Sequence, residues 1–308
     1  MEIYLPVAEQ SINVFLLLGL GAAAGLLAGM FGVGGGFLAT PLLIFVGIPP
    51  AVAVASQANQ VVANSISSLQ IQWRRGNVDL RMGLVLLLGG MIGSSAGVSL
   101  FTYLKRIGQI DFVIAVLYVV LLSTIGGLML IESASTFISR RRNPGAPRGK
   151  LHTHYLVHRL PWKMRFYKSK LYISAFLPLG LGAIIGVLSA LLGVGGGFVL
   201  VPAMIYLLGM PTSVVIGTSN FQILFVAANV TFLQSATNGT VDVVLALLLI
   251  LGGVVGAPIG SRIAAKLSSV VLRGLMALLV LGVAGQLLVE LLRTPGSFYS
   301  LGLREVMP

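Results

Sequence analysis

The sequence predicts an all-α integral membrane protein, built from two inverted-topology repeats of about five hydrophobic segments each, with one short or broken helix per repeat. Three observations predict it. First, 56% of the residues are hydrophobic and 9% are charged, whereas a soluble domain is roughly one quarter charged. Such a chain cannot cover itself with polar side chains, so lipid is its natural solvent. Second, Ser11–Phe31, Met82–Tyr103, Phe112–Ile131, Val241–Ala265 and Val270–Leu292 are each about long enough to cross a hydrocarbon core of roughly 30 Å. Third, the chain repeats itself. Gly32-Val33-Gly34-Gly35-Gly36-Phe37, then Pro41, Gly47 and Pro49, is answered by Gly193-Val194-Gly195-Gly196-Gly197-Phe198, then Pro202, Gly209 and Pro211. Gly76 and Asp79 are answered by Gly239 and Asp242, and Gly89-Gly90, Gly93 and Gly97 by Gly252-Gly253, Gly256 and Gly260.

Each half reads as five segments, about 11–31, 37–47, 51–73, 82–103 and 111–131, then 172–192, 198–208, 212–235, 241–265 and 270–292. The first is read as a retained helix. Its flank holds Glu2 and Glu9 and no base, unlike a signal peptide. The second segment of each half is shorter than the roughly 17 residues a spanning helix needs. It is a half-helix, a re-entrant arm or a tilted helix; the residues leave open whether it crosses or turns back.

Charge sets the organisation. Half of the 20 Lys and Arg, and all three His, fall between Arg140 and Lys170, with no acid among them. This divides the chain into a first transmembrane repeat (1–135), a basic cytoplasmic linker (136–170) and a second transmembrane repeat (171–308). A basic block can bind nucleic acid, but between two membrane halves the positive-inside rule explains it better, and no nucleic acid partner is expected. With the linker in the cytoplasm and five crossings per half, the N-terminus lies outside. Arg74, Arg75, Arg262, Lys266 and Arg273 then fall inside, and Lys105 and Arg106 dissent. An odd number of crossings inverts the second repeat, an architecture recurrent in secondary transporters. The chain has no cysteine, which excludes disulfides and thiolate chemistry.

The triple glycines Gly34, Gly35 and Gly36, and Gly195, Gly196 and Gly197, break one helix and open a short new one. A helix start offers free N–H groups and the positive end of a dipole, a combination that binds anions and that transporters use in broken helices. The bland alternative is close helix packing. In the third segment, Gln57, Gln60, Asn64, Ser67, Ser68 and Gln72 recur at helical steps as a polar stripe. The eighth segment answers with Thr218, Ser219, Gln222, Asn229 and Gln234. Amides in hydrocarbon need partners, either on neighbouring helices or along a watery path. The polar residues nearest the glycine turns are the best binding candidates: Ser56, Gln57, Asn59 and Gln60, with Thr218, Ser219, Asn220 and Gln222. Asp79 and Asp242 stand where helices begin. They read first as N-caps, with a proton site as the alternative. The residues show no catalytic constellation, metal motif or nucleotide loop, so no enzyme, metal or cofactor is expected.

The doubled Gly-Val-Gly-Gly-Gly-Phe-x-x-x-Pro, at Gly32–Pro41 and Gly193–Pro202, resembles the signature of the sulfite exporter TauE/SafE family. The likeness covers nearly the whole chain outside the linker and the ends. It implies a multi-pass permease of the bacterial inner membrane for sulfite, sulfonates and related anions, in either direction. It would place the site between the two glycine turns and the starts of segments 3 and 8. Ala55-Ser56-Gln57 departs at Gln57 from the small hydroxyl pattern of Gly217-Thr218-Ser219. The expectation is a secondary transporter of a small sulfur-containing anion, with the lipid bilayer as its other partner and with self-association left open. The alternatives are a permease for another organic anion, such as a carboxylate, and a non-transporting scaffold with a basic recruitment loop.

Overall fold

A computed structural model describes residues 2–31, 36–142, 163–169, 171–266 and 269–292. Gly34, Gly35 and most of the expected basic linker lie outside the described residues. The elements run β1 (Glu2–Leu5), β2 (Gln10–Asn13), α1 (Val14–Phe31), α2 (Gly36–Phe45), α3 (Pro50–Arg74), α4 (Leu80–Arg106) and α5 (Ile110–Arg142). They continue β3 (Lys163–Phe166), β4 (Leu171–Ser174), α6 (Phe176–Leu192), α7 (Gly197–Tyr206), α8 (Thr212–Leu233), α9 (Val243–Lys266) and α10 (Ser269–Leu292). A π-helical turn, Gln234–Asn238, prolongs α8. One order, an antiparallel hairpin followed by five helices, thus occurs twice.

The hairpins are a difference from the sequence reading, which ran the first and sixth helices back to 11 and 172. Their strands have four residues each, too few for alternation to stand out from the apolar run that follows. Leu5 and Ile12 turn inward in the first, and Phe166 and Ile173 in the second. α5 also continues to Arg142, past the expected boundary at 135, and the second hairpin straddles the boundary at 170. Local chemistry accounts for the helix ends. Pro50 opens α3 at a position where a missing N–H costs nothing, and Asp79 caps α4 through Met82 N–H. Among the described residues, five helices are long and apolar enough to cross a membrane: Leu80–Arg106, Ile110–Ile131, Val214–Asn238, Val243–Ile263 and Gly274–Leu292. The protein is a multi-pass membrane protein, all-α apart from the two hairpins.

Small residues set the packing. Gly21, Gly25 and Gly29 of α1 lie against Leu249, Gly253 and Ala257 of α9, so close that a methyl on Gly21 would sit 2.7 Å from the Leu249 carbonyl oxygen. Gly182 and Gly186 of α6 lie against Leu86 and Gly90 of α4 in the same way. Lipid offers no hydrophobic drive between helices, so contact at backbone distance supplies the attraction. Each repeat therefore gives its fourth helix to the first helix of the other.

Residue numbers rise together along α1 and α9, and along α3 and α9, where Ser56 meets Asp242 and Gln60 meets Leu249. α1, α3 and α9 form one parallel triplet, and α6, α8 and α4 form its counterpart. The triplets oppose each other. Thr218, near the start of α8, accepts from the N–H of Asp79, just past the end of α3, while Ser56, near the start of α3, accepts from the N–H of Asp242, just past the end of α8.

The short helices return to the end from which their partners set out. Ile48, beyond α2, packs in one cluster with Leu5 and Ile12 of the first hairpin, and Gln10 donates to the Gly47 carbonyl oxygen at 2.9 Å. Leu208 and Met210, beyond α7, pack with Phe166 and Ile173 of the second hairpin. α2 and α7 have ten residues each, a rise of about 15 Å, or half a hydrocarbon core of roughly 30 Å. The core cluster between the repeats gathers Phe37, Tyr118, Phe198 and Val280 from four helices.

Candidate functional site

The break between α6 and α7 is built on left-handed backbone. Gly193, Gly195 and Gly196 have φ of 68°, 68° and 76°, a region where a Cβ is strained. The N–H of Gly193 closes α6 on the Ser189 carbonyl at 2.9 Å, and the N–H groups of Val199 and Leu200 return to the Gly196 carbonyl. The N–H groups of Gly197 and Phe198 precede the first intrahelical bonds, as at every helix start. Gly36 opens α2 at the matching place.

The two breaks meet. A methyl on Gly36 would lie 3.2 Å from Val194 Cα and 3.3 Å from the Gly193 carbonyl oxygen. The next residues, Phe37 and Phe198, stack face to face with ring centroids 4.4 Å apart and planes 10° from parallel. Val61 of α3 and Ile223 of α8 pack directly on Gly195, where a methyl would lie 2.4 and 2.9 Å from their side chains. The Leu192 carbonyl, at the end of α6, accepts from Tyr118 Oη and, at 3.5 Å, from Thr40 Oγ1, which fixes the lip of the turn.

The polar residues of α3 and α8 flank this junction, and most are buried. Their hydrogen bonds divide them into four groups. Ser56 and Thr218 hold the N–H groups of Asp242 and Asp79, at 2.9 and 3.0 Å. Asn59, Ser219 and Asn220 turn back onto carbonyls of their own helices. Gln60 donates from Nε2 to the carbonyls of Gly21 at 3.1 Å and Leu249 at 2.9 Å, tying α1 to α9. Gln57 and Gln222 differ. Gln57 donates to Gln60 Oε1 at 2.8 Å, but its own Oε1 has no partner. Neither polar atom of Gln222 has one, although the side chain is 1% exposed. A buried polar group without a partner costs free energy, so these two amides hold the unspent hydrogen-bonding capacity beside the glycine turns. At the offset of the repeat that brings Pro49 onto Pro211, Gln222 corresponds to Gln60. Both lie against a glycine of a fourth helix, Gln222 on Gly90 and Gln60 on Gly253, yet only Gln60 reaches a backbone acceptor.

Asp79 and Asp242 are caps and also clasps. Each places Oδ1 on the first turn of its helix, at Met82 N–H and Leu245 N–H. Each turns Oδ2 to the hairpin that begins the other repeat. Ser169 donates twice to Asp79, and the N–H of Val7 donates to Asp242 at 3.0 Å. This second role escaped the sequence because it joins residues far apart in the chain.

The donor set is neutral: backbone N–H groups, carboxamides and hydroxyls. Among the described residues no group of three or more His, Cys, Asp or Glu could hold a metal. Such a site can shed the water of a small oxyanion and replace it with hydrogen bonds.

A model of the family described as "Sulfite exporter TauE/SafE" matches residues 17–287. The chain is 28% identical over 278 residues to the probable membrane transporter protein YjnA of Bacillus subtilis, covering 88% of this chain and 97% of that protein. It is 29% identical over 276 residues to a probable membrane transporter protein of Xylella fastidiosa strain 9a5c, covering 88% and 94%. YunE of Bacillus subtilis, also described as a probable membrane transporter protein, is 24% identical over 289 residues, covering 91% and 98%. No solved structure matches the chain.

Proposed function

This chain belongs to the sulfite exporter TauE/SafE family, and from that premise we propose that it carries a small sulfur-containing anion, such as sulfite or an organosulfonate, across the membrane by alternating access. That the protein is a membrane permease and not an enzyme follows from the family and from relatives described as transporters. Substrate class and mechanism are our reading.

One observation carries it: the two glycine breaks meet at Gly36 and Gly193–Val194, beside α8, where the buried Gln222 amide has an Nε2 donor without a partner. Helix starts attract anions. A sulfonate or sulfite needs several donors, and the junction offers them without a buried cation whose desolvation would be costly. Gly34 to Gly36, Gly195 to Gly197 and the Gln222 Nε2 contact the anion, and Gln57 reaches it through the second N–H of the amide that also donates to Gln60. Ser56 and Thr218 hold the starts of α9 and α4 in register. Gln60 braces α1 against α9, and Asn59, Ser219 and Asn220 bond within their own helices.

Orientation follows from charge. The end that carries Arg74, Arg75, Arg81, Arg165 and Lys168 faces the cytoplasm, as does the linker, and the first hairpin faces outside. Each α1–α2 and α6–α7 pair returns to its own side. Three crossings per repeat remain, still an odd number, so the second repeat is inverted. Movement of one triplet against the other would expose the junction to each side in turn.

The test is flux in proteoliposomes containing the purified full chain, with a panel of sulfite, methanesulfonate, toluenesulfonate, acetate and a neutral solute. Flux of at least one sulfur oxyanion above protein-free vesicles is expected. Carriage of acetate alone would reassign the substrate to the carboxylates, and carriage of the neutral solute alone would reject the anion reading.

A further inference from the structure

The polar stripe of α3 does not stop at Gln60. It continues through Asn64, Ser67 and Ser68 into a partly open cavity of about 350 Å³ between α1, α3 and α9, lined on the α9 side by Val254, Ala257, Pro258 and Ser261. The cavity adjoins the amide level directly, since a methyl on Gly253 would lie 2.6 Å from Gln60 Nε2 and 3.5 Å from Asn64 Oδ1. It occupies the C-terminal halves of the three helices. Beyond it, α3 ends in Arg74 and Arg75, and α9 carries Arg262 and Lys266, all exposed.

The opposite triplet carries the same positions in a different chemistry. There Asn229 of α8 reaches across to α4, donating to Ser94 Oγ at 2.8 Å and Ser95 Oγ at 3.3 Å. In the first triplet Asn229 is replaced by Ser67, whose hydroxyl turns back to the Ala63 carbonyl of its own helix. Ser94 and Ser95 are replaced by Ala257 and Pro258, which have no side-chain acceptor. The bridge can form in one triplet only, so the asymmetry is written in the side chains.

We propose that the α1–α3–α9 cavity is the vestibule by which a small oxyanion passes between the junction and the Arg262 face, and that the Asn229–Ser94–Ser95 bridge closes the equivalent route on the other face. The inference rests on the transport reading and adds the path. The Asn64 amide and the Ser67, Ser68 and Ser261 hydroxyls line the wall, and Ser67 and Ser261 would turn from the carbonyls of their own helices to donate to a passing anion. Four exposed cations at the mouth raise its local concentration, as a cleft of one sign does.

The chain has no cysteine, so single cysteines report on the path without background. Ser67→Cys and Ser261→Cys are each placed in the full chain, in vesicles of both orientations. They are challenged with 2-sulfonatoethyl methanethiosulfonate, an anionic thiol reagent that does not cross lipid. Reaction from the Arg262 face should be roughly tenfold faster than from the other, as expected where the alternative state holds about a tenth of the population or less. Methanesulfonate, or whichever panel anion the protein carries, should slow it. Val98→Cys, the counterpart of Ser261→Cys, should react slowly from both faces until Asn229→Ala opens the bridge, after which the opposite face becomes the faster one. Should Asn229→Ala fail to fold, Ser67→Asn with Ala257→Ser tests the converse, by building a bridge that slows Ser261→Cys. Equal reactivity from both faces, or no protection by any carried anion, overturns the vestibule. Neither result touches the transport reading, which falls only if no anion in the flux panel crosses.

Discussion

The carboxylate of Asp79 accepts two hydrogen bonds from Ser169, one from its N–H at 2.9 Å and one from its hydroxyl at 2.6 Å. The same side chain caps α4. One buried acid thus fastens the start of a helix in the first repeat to the hairpin that opens the second. Asp79→Ala removes the cap, worth about 1 kcal/mol, and the charge-assisted bonds, worth about 1.5–3 kcal/mol. Ser169→Ala removes only the hydroxyl bond, at about 1 kcal/mol. Thermal unfolding in detergent should therefore show a larger fall in Tm for Asp79→Ala than for Ser169→Ala. Equal falls would place the whole effect in the hairpin contact and none in the cap.

Gln60 and Gln222 occupy matching places but should respond in opposite ways. Gln60→Leu removes two bonds that tie α1 to α9 and strands the Gln57 amide, so it should destabilise by about 1–3 kcal/mol. Gln222→Leu removes a buried amide that has no partner, so stability should hold or rise. If that amide meets the anion, its loss should raise KM for flux roughly tenfold, the equivalent of about 1.4 kcal/mol. Unfolding and flux measured on both variants separate the roles. A Gln222→Leu protein with unchanged KM would remove this amide from the site.

The repeat, the short second helix and the caps at Asp79 and Asp242 are legible in the residues alone, because each leaves a local mark: a triple glycine, a run too short to span, an acid before an apolar stretch. The hairpins leave none. Four-residue strands such as Lys163–Phe166 are hidden by the basic block on one side and the apolar helix on the other. The exchange of fourth helices is also invisible locally, since the glycines of α1 and α9 show only that something approaches closely. Within the candidate site, residue type marked Gln57, Gln60 and Gln222 as equals. Only their surroundings distinguish the amide that braces two helices from those with capacity to spare.

Phe37 and Phe198 stack across the join of the repeats, so their energies should be coupled. Each Phe→Ala change alone should cost about 3–5 kcal/mol through the cavity it leaves. Because the two share one contact, the double variant should cost less than the sum, by about 0.5–1.5 kcal/mol for a ring pair. Phe→Leu at both positions keeps more volume and serves if the alanine forms do not fold. Strict additivity would show that the rings touch without holding the repeats together.

Gly196 offers the sharpest separation of folding from transport. Its φ of 76° costs an L-residue about 1–2 kcal/mol, and a methyl there would run into Ile185 Cγ2. Gly196→Ala must relieve both by shifting the start of α7, which is where the free N–H groups lie. The surrounding helices are held elsewhere, by the α4–α6 contact and the Asp79 clasp, so the variant should still insert and purify as a folded protein with a lowered Tm. Flux should fall steeply, because anion binding at a helix start depends on where those N–H groups point. Pairing the change with Ile185→Val makes room for the methyl but leaves the backbone conformation unfavourable. Partial recovery of Tm without recovery of flux would locate the transport defect in the glycine backbone itself. Full flux in Gly196→Ala would mean that the anion does not use this turn.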